Sequence, residues 1–117
     1  MRYHRLTYRL CMQHSLNGQI ENKHPHLIEI EIVARKKKED FLEFASMDSI
    51  LEQVFGSYQY QYLNEFPEFG QNTSMEHLGE VFYVMVKEAL EKQHWKFARF
   101  EIRETPLRAY AIVEEEF

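Results

Sequence analysis

The most constraining feature of the sequence is the alternation in "HPHLIEIEI", residues 24–32. An apolar residue at every second position is typical of a strand with one buried face. The residues that share the buried face all have even numbers: His24, His26, Ile28, Ile30 and Ile32. The pattern therefore predicts a strand over residues 26–34 that aims two titratable rings toward the face it buries. Pro25 is tolerated at the start of such a strand, where its missing N–H is not needed.

A second alternating segment, residues 2–14, precedes this strand. Its apolar face carries Leu6, Tyr8, Leu10, Met12 and His14. Asn17 and Gly18 then predict a tight turn, because both residue types tolerate positive φ. The two strands should form a hairpin that brings His14 close to His24 and His26. Cys11 falls on the opposite face by parity, and we expect it to be a small buried hydrophobe rather than a nucleophile.

The apolar period changes to 3.6 residues in two later segments, which predicts two helices. The first has Ser46 as a candidate N-cap and stops before Gly56. The second begins in "NTSMEH", where Thr73 and Glu76 fit a capping box. An aromatic-rich loop, residues 58–72, separates the helices.

Two further alternating segments, residues 98–104 and 108–113, predict strands that close the chain. In the first of them, Glu104 shares a face with Ala98, Phe100 and Ile102. The order ββααββ predicts an α+β fold, a four-stranded antiparallel sheet with two helices on one face. Its 117 residues, 44% of them hydrophobic, suit a single domain over 1–117.

Composition narrows the classes of function. A net charge of −5 argues against nucleic acid as the main partner. The one dense basic run, "RKKK" at 35–38, is followed by two acidic residues and is interpreted as a solvated loop rather than a binding patch. A single cysteine excludes a disulfide framework. No leader-like or membrane-spanning apolar run occurs, so we expect a cytoplasmic protein without a membrane partner.

Three imidazoles at the mouth of one hairpin have the ligand count of a catalytic zinc site, with a fourth position free for substrate. A Zn²⁺ ion there would polarise a substrate oxygen. The alternative is that His14, His24 and His26 are ordinary histidines, and spacing alone leaves both interpretations open.

Several stretches, in order along the chain, resemble the 6-pyruvoyl-tetrahydropterin synthase and 6-carboxytetrahydropterin synthase family. "CMQHSL" is similar to the family's first-strand segment, and "HPHLIEIEI" to its His-Gly-His strand with Pro25 in place of glycine. "EFASMDSILEQVFGSYQYQYLNE" resembles its first helix and the loop ending in Leu-Asn, "NTSMEHLGEVF" its second helix start, and "EIRETP" its strand ending in Glu-Thr. Together these cover nearly the whole chain.

The resemblance implies a tunnelling fold, in which subunits assemble into trimers or hexamers with a pterin as the small-molecule substrate. It implies that His14, His24 and His26 bind Zn²⁺. It also implies that the Glu104 carboxylate grips the amino group and a ring nitrogen of the pterin, a bidentate arrangement that suits a carboxylate. Otherwise Glu104 is a surface charge at a strand end.

This sequence departs from the family pattern at three catalytic positions. Ile20 stands where the family has its cysteine, and Gln59 and Tyr60 replace an Asp-His pair. One branch of the family has Glu-x-x-His-x-His instead, and "ENKHPH" places Glu21 at that glutamate. Such a carboxylate can act as general base on a side-chain hydroxyl of a dihydropterin. The sequence is equally compatible with Glu21 being a solvated turn residue. Tyr60 or Tyr62 could serve as a proton donor in place of the missing pair.

The leading hypothesis is a zinc-dependent pterin synthase or lyase acting on dihydroneopterin triphosphate or a related dihydropterin. Its product would be a 6-pyruvoyl, 6-carboxy or 6-hydroxymethyl pterin, of queuosine or folate biosynthesis. The rival hypothesis is a catalytically degenerate relative that binds zinc and a pterin without turnover. The missing cysteine, aspartate and histidine favour the rival. The retained histidines, Glu104 and Glu21 favour the enzyme.

Overall fold

The computed structural model describes residues 1–37 and 43–115 of the chain. Within them the long elements are β1 (His4–His14), β2 (His24–Lys36), α1 (Glu43–Phe55), α2 (Met75–Lys92), β3 (Trp95–Thr105) and β4 (Arg108–Val113). Four single turns of 3₁₀-helix lie between them: Ile20–Asn22, Gly56–Tyr58, Leu63–Glu65 and Pro67–Phe69. The order ββααββ is the predicted one, and the predicted loop 58–72 contains two of these turns, Leu63–Glu65 and Pro67–Phe69.

The four strands form one antiparallel sheet in the order β1-β2-β3-β4. Tyr8 lies opposite Ile30, and Ile30 lies opposite Ile102, so the even-numbered residues of three strands share one face. Both helices pack on that face, and the residues between them and the sheet are almost completely buried. The predicted α+β architecture, with two helices on one side of a four-stranded sheet, is confirmed.

The opposite face of the sheet carries a lattice of ion pairs. Arg9 and Arg103 both pair with Glu29, at 3.2 and 3.3 Å, and Arg103 also pairs with Glu101 at 3.2 Å. These charges explain how a face without helices stays polar while the other face is apolar. Cys11 lies on this face and is partly exposed, so the expectation of a buried cysteine was wrong.

Aromatic rings fix the connection between the helices against the core. Phe82 of α2 packs on Phe55 at 5.2 Å, on Phe69 at 5.4 Å and on Tyr58 at 5.6 Å between ring centroids. Edge-to-face contacts of this kind stabilise beyond the area they bury. The segment from Gly56 to Phe69 is therefore held as firmly as the helices it joins.

Two predicted helix starts were wrong. Helix α1 begins at Glu43, so Ser46 lies inside it and does not cap it. Ser74, and not Thr73, caps α2, and its hydroxyl accepts a hydrogen bond from the His77 N–H. Thr73 is fully buried, which takes it out of the capping position.

The basic run was also misassigned in part. Arg35 and Lys36 belong to β2, which extends two residues beyond its predicted end. Arg35 pairs with Glu115 at 3.1 Å, and the Lys36 ammonium lies 4.9 Å from the Trp95 ring centroid. Residue 38 lies outside the described residues.

Among the helices of the described segments, none is both long and apolar enough to span a membrane.

Candidate metal centre

The first hairpin brings three imidazoles together where its strands meet the connecting turn. His14 ends β1 and lies directly opposite His24, the first residue of β2, while His26 lies opposite Met12. The ring centroids are 4.5 to 4.9 Å apart. One potential ligand nitrogen from each ring lies within 4.8 Å of the other two. The predicted convergence of the three side chains is therefore present.

Hydrogen bonds fix the protonation of two of these rings. His14 Nδ1 lies 3.0 Å from the carbonyl oxygen of Thr73, and His24 Nδ1 lies 3.0 Å from the carbonyl oxygen of Asn22. A carbonyl oxygen only accepts hydrogen bonds, so each Nδ1 carries the proton and donates it. In the neutral ring the lone pair is then on Nε2, the atom left to bind a metal.

Burial keeps His14 neutral. The residue is 1% exposed, and desolvation, reinforced by the nearby His24 and His26, lowers the pKa of its imidazole below the ordinary value. The Thr73 carbonyl acts in the opposite direction and does not reverse the shift. Its Nε2 is buried without a hydrogen-bond partner among the described residues. Such an orphaned acceptor is costly unless a ligand satisfies it.

The donor set fits zinc. Three neutral imidazoles with one open position are the first shell of many catalytic zinc sites. The three potential ligand atoms lie within 4.8 Å of one another, close enough together to serve one ion. His14, His24 and His26 are the residues that would hold it.

Glu104 lies beside this cluster. One of its carboxylate oxygens is 3.6 Å from His26 Nδ1, within ion-pair distance and too long for a good hydrogen bond. Its side chain is 30% exposed. The residue also lines a cavity of about 320 Å³ whose other walls include Met75, Ile102 and Tyr110. A carboxylate in the wall of a partly apolar cavity can accept hydrogen bonds from a polar molecule bound there.

Glu21 lies in the 3₁₀ turn Ile20–Asn22, between the two strands of the hairpin. It is exposed, and no hydrogen bond or ion pair joins its carboxylate to the rest of the described chain. The group of potential metal ligands contains the three histidines and not Glu21. Glu21 directly precedes Asn22, whose carbonyl orients His24, so the backbone connects Glu21 to the site.

Buried polar residues that the sequence analysis did not assign to the site lie next to His14. Ser15, Asn64 and Thr73 are each no more than 7% exposed, and they hydrogen-bond to one another. The Ser15 hydroxyl also lies 2.6 Å from the Tyr62 hydroxyl. The stretches "YLNE" and "NTS" carry three of these residues, but nothing in the sequence indicates that they fold back onto the end of β1.

The residues that replace the Asp-His pair have different roles. The Gln59 side-chain amide accepts from Cys11 N–H at 3.0 Å and donates to the Arg9 carbonyl at 2.9 Å, as a neighbouring strand would. The oxygen and the nitrogen of the Gln59 side chain are therefore both hydrogen-bonded to the edge of β1. Tyr60 has φ 62° and is 78% exposed, and it lines a second cavity, of about 330 Å³, together with His26 and Leu27. The Tyr62 hydroxyl is engaged with Ser15, which leaves Tyr60 as the freer phenol.

Comparisons with known proteins identify the family and the fold. A family model described as 6-pyruvoyl tetrahydropterin synthase matches residues 4–116. The structure of Caenorhabditis elegans 6-pyruvoyl tetrahydropterin synthase superposes with a TM-score of 0.74 at 13% identity, covering 97% of this chain and 96% of that one. The Plasmodium falciparum enzyme gives 0.61 at 13% identity, with 97% and 99% covered.

A Plasmodium vivax 6-pyruvoyltetrahydropterin synthase, solved as a variant with alanine in place of a catalytic glutamate, gives a TM-score of 0.61 at 10% identity. The match covers 99% of this chain and 100% of that one. No curated protein sequence matches this chain. At these identities the structural matches establish the fold, and the family model establishes the family.

The lowered pKa of His14 makes the stability of the metal-free protein depend on pH. The unfolded state, with a histidine pKa of about 6.5, binds a proton that folded His14 resists. This contribution to stability is complete above pH 6.5 and is lost as the pH falls toward the folded pKa. We expect the urea midpoint of chelator-treated protein to fall between pH 8 and 5.5, and to fall less in His14→Gln.

His77→Gln, at the head of α2, is the control and should follow the wild type. Equal falls in the wild type and His14→Gln would contradict the assignment of a depressed pKa to His14.

Proposed function

Because the chain belongs to the 6-pyruvoyl tetrahydropterin synthase family, we propose that it is a zinc-dependent pterin synthase or lyase. Its substrate is dihydroneopterin triphosphate or a related dihydropterin, altered in the side chain to a 6-pyruvoyl, 6-carboxy or 6-hydroxymethyl product. The observation that carries this proposal is the set of three imidazoles whose hydrogen bonds leave Nε2 of His14 and His24 free to bind a metal.

When bound, zinc supplies a Lewis acid that polarises a substrate oxygen and lowers the pKa of a hydroxyl. The protein's part is to hold the three ligand atoms in a fixed orientation. The Thr73 and Asn22 carbonyls do this for His14 and His24, and Glu104 stands beside the Nδ1 of His26. Partners of this kind raise the basicity of a ligand imidazole and fix its tautomer.

Glu104 is proposed to hold the pterin ring. Its carboxylate lies 3.6 Å from His26 Nδ1 and lines the 320 Å³ cavity, and it can accept hydrogen bonds from two adjacent N–H donors of the heterocycle. The apolar side chains of Met75 and Ile102 line the same cavity and offer contact surface for a flat ring.

Glu21 is proposed as the general base that removes a proton from the substrate side chain. Its exposed carboxylate is accessible to substrate, and its turn lies directly before His24. The Plasmodium vivax protein, whose catalytic residue is a glutamate, supports this role by analogy. Deprotonation of a side-chain hydroxyl would promote cleavage of the neighbouring carbon–carbon bond.

A second candidate function is binding of zinc and a pterin without turnover. Two observations favour it. Gln59 is bound to the edge of β1 and offers no acid or base, and Glu21 forms no contact with the described residues that would orient it.

Replacement of Glu21 by glutamine separates these two functions. We expect Glu21→Gln to lower turnover of dihydroneopterin triphosphate by about 10²–10⁴-fold, because the general base is lost, with zinc content unchanged. Turnover is followed by chromatography of the pterin products, and Glu88→Gln on the surface of α2 is the control. A wild type without turnover would support the binding function, and a fully active Glu21→Gln would remove Glu21 from the mechanism.

Glu104→Gln tests the proposed ring contact. A hydrogen bond to a charged group contributes about 1.5–3 kcal/mol, so we expect pterin affinity to fall by about 10–100-fold. Calorimetric titration with a non-reactive pterin analogue measures this, with circular dichroism as the check that the fold is intact. Affinity within threefold of wild type would refute the role of Glu104.

We also propose that the protein is a homo-oligomer, a trimer or hexamer, that acts in the cytoplasm. Strands β1 and β4 are the edges of the sheet, and an edge strand gains stability by pairing with another chain. The loop around Gln59 already covers β1 near residues 9–13, which leaves its first half and β4 for pairing.

Light scattering after size-exclusion chromatography should give three or six times the 14.2 kDa of one chain. A stable species of 14.2 kDa at micromolar concentration would exclude the oligomer.

A further inference from the structure

We infer that Asn64 is a positioning residue of the metal centre, which holds His14 in its ligand orientation without touching the metal. The inference rests on the proposed zinc site and names what keeps that site in shape. Asn64 lies in the turn Leu63–Glu65, far from His14 in sequence, and is 7% exposed.

Asn64 forms hydrogen bonds with both backbone groups of Ser15, the residue next to His14. Its Oδ1 accepts from the Ser15 N–H at 2.9 Å, and its Nδ2 donates to the Ser15 carbonyl at 2.9 Å. Ser15 is fully buried and follows the last residue of β1. Its backbone groups have left the sheet, so the amide of Asn64 provides the hydrogen bonds that a neighbouring strand would otherwise supply.

The same amide is linked to the ring of His14 through Thr73. The Thr73 hydroxyl lies 3.2 Å from the Ser15 carbonyl oxygen and 3.3 Å from Asn64 Oδ1. The Thr73 carbonyl accepts the His14 Nδ1 proton at 3.0 Å. Ser15 therefore fixes the backbone next to His14, and Thr73 fixes its ring. Asn64 contacts both Ser15 and Thr73.

The chemistry of this position requires a neutral amide. Aspartate would set a carboxylate oxygen against the Ser15 carbonyl. Alanine would leave the buried Ser15 N–H without a partner and would remove one of the hydrogen bonds to the Ser15 carbonyl, which also accepts from the Thr73 hydroxyl and the Gly18 N–H. The segment that carries Asn64 is packed against the core on both sides, by Tyr58 before it and Phe69 after it. Loss of the amide should therefore release Ser15 and Thr73, and with them the orientation of the ring.

Titration of the chelator-treated full-length protein with Co²⁺, which gives visible absorption bands in a tetrahedral site, tests this role. We expect Asn64→Ala to weaken Co²⁺ binding by about 10–100-fold, the usual effect of losing a group that orients a metal ligand. Gln53→Ala, which removes an exposed side-chain amide from α1, should bind like the wild type.

Ile50→Ala, a core variant in α1, tests whether a loss of stability alone weakens Co²⁺ binding. It should lower the melting temperature at least as much as Asn64→Ala while leaving Co²⁺ affinity within threefold of wild type. A folded Asn64→Ala with wild-type affinity would overturn the inference and leave the proposed function intact. A similar loss of affinity in Ile50→Ala would also overturn it.

Thr73→Val, which removes only a hydroxyl, decides the matter if Asn64→Ala does not fold. A loss of affinity of fivefold or more supports the network, and a smaller change overturns it. A wild type that binds no Co²⁺ would overturn the proposed metal site itself, a result distinguishable from failure of the Asn64 variant alone.

Discussion

The hydrogen bond from His14 Nδ1 to the Thr73 carbonyl is the interaction on which the site depends. A carbonyl oxygen cannot donate, so this contact fixes the tautomer and leaves the Nε2 lone pair facing the other two rings. Burial then keeps the ring neutral, since the charged form would lose its hydration. Without this contact, His14 would be one of three nearby histidines with no defined ligand atom.

The fold places this interaction where a substrate can reach it. The antiparallel register sets His14 opposite His24 at the mouth of the hairpin, and Glu104 reaches His26 from β3. The helices cover the apolar face of the sheet, and α2 begins next to the site. Thr73, the residue before its cap, provides the carbonyl that accepts the proton of His14 Nδ1. The aromatic packing around Phe82 fixes the connecting segment that brings Asn64.

Alternation and helical period were sufficient to predict the element order, the sheet and the shared face of His14, His24, His26 and Glu104. They failed at the helix starts, by four residues in α1 and by one in α2. At α2 two neighbouring residues, Thr73 and Ser74, both suit a cap, and tertiary contacts choose between them. Thr73 shows why, since its burial against Ser15 leaves Ser74 to cap α2. The network of Ser15, Asn64 and Thr73 depends on contacts 49 to 59 positions apart along the chain, which no local pattern contains. The assignments of Glu21 and Glu104 to base and ring contact stay predictions.

The departures at Gln59 and Tyr60 make metal binding the property that most directly tests this account. X-ray absorption at the zinc edge, on protein purified without added metal, measures both the zinc content and its ligands. The account predicts close to one zinc per chain with three imidazole nitrogens at about 2.0–2.1 Å. Less than about a third of an equivalent, or a shell with fewer than three imidazoles, would contradict it.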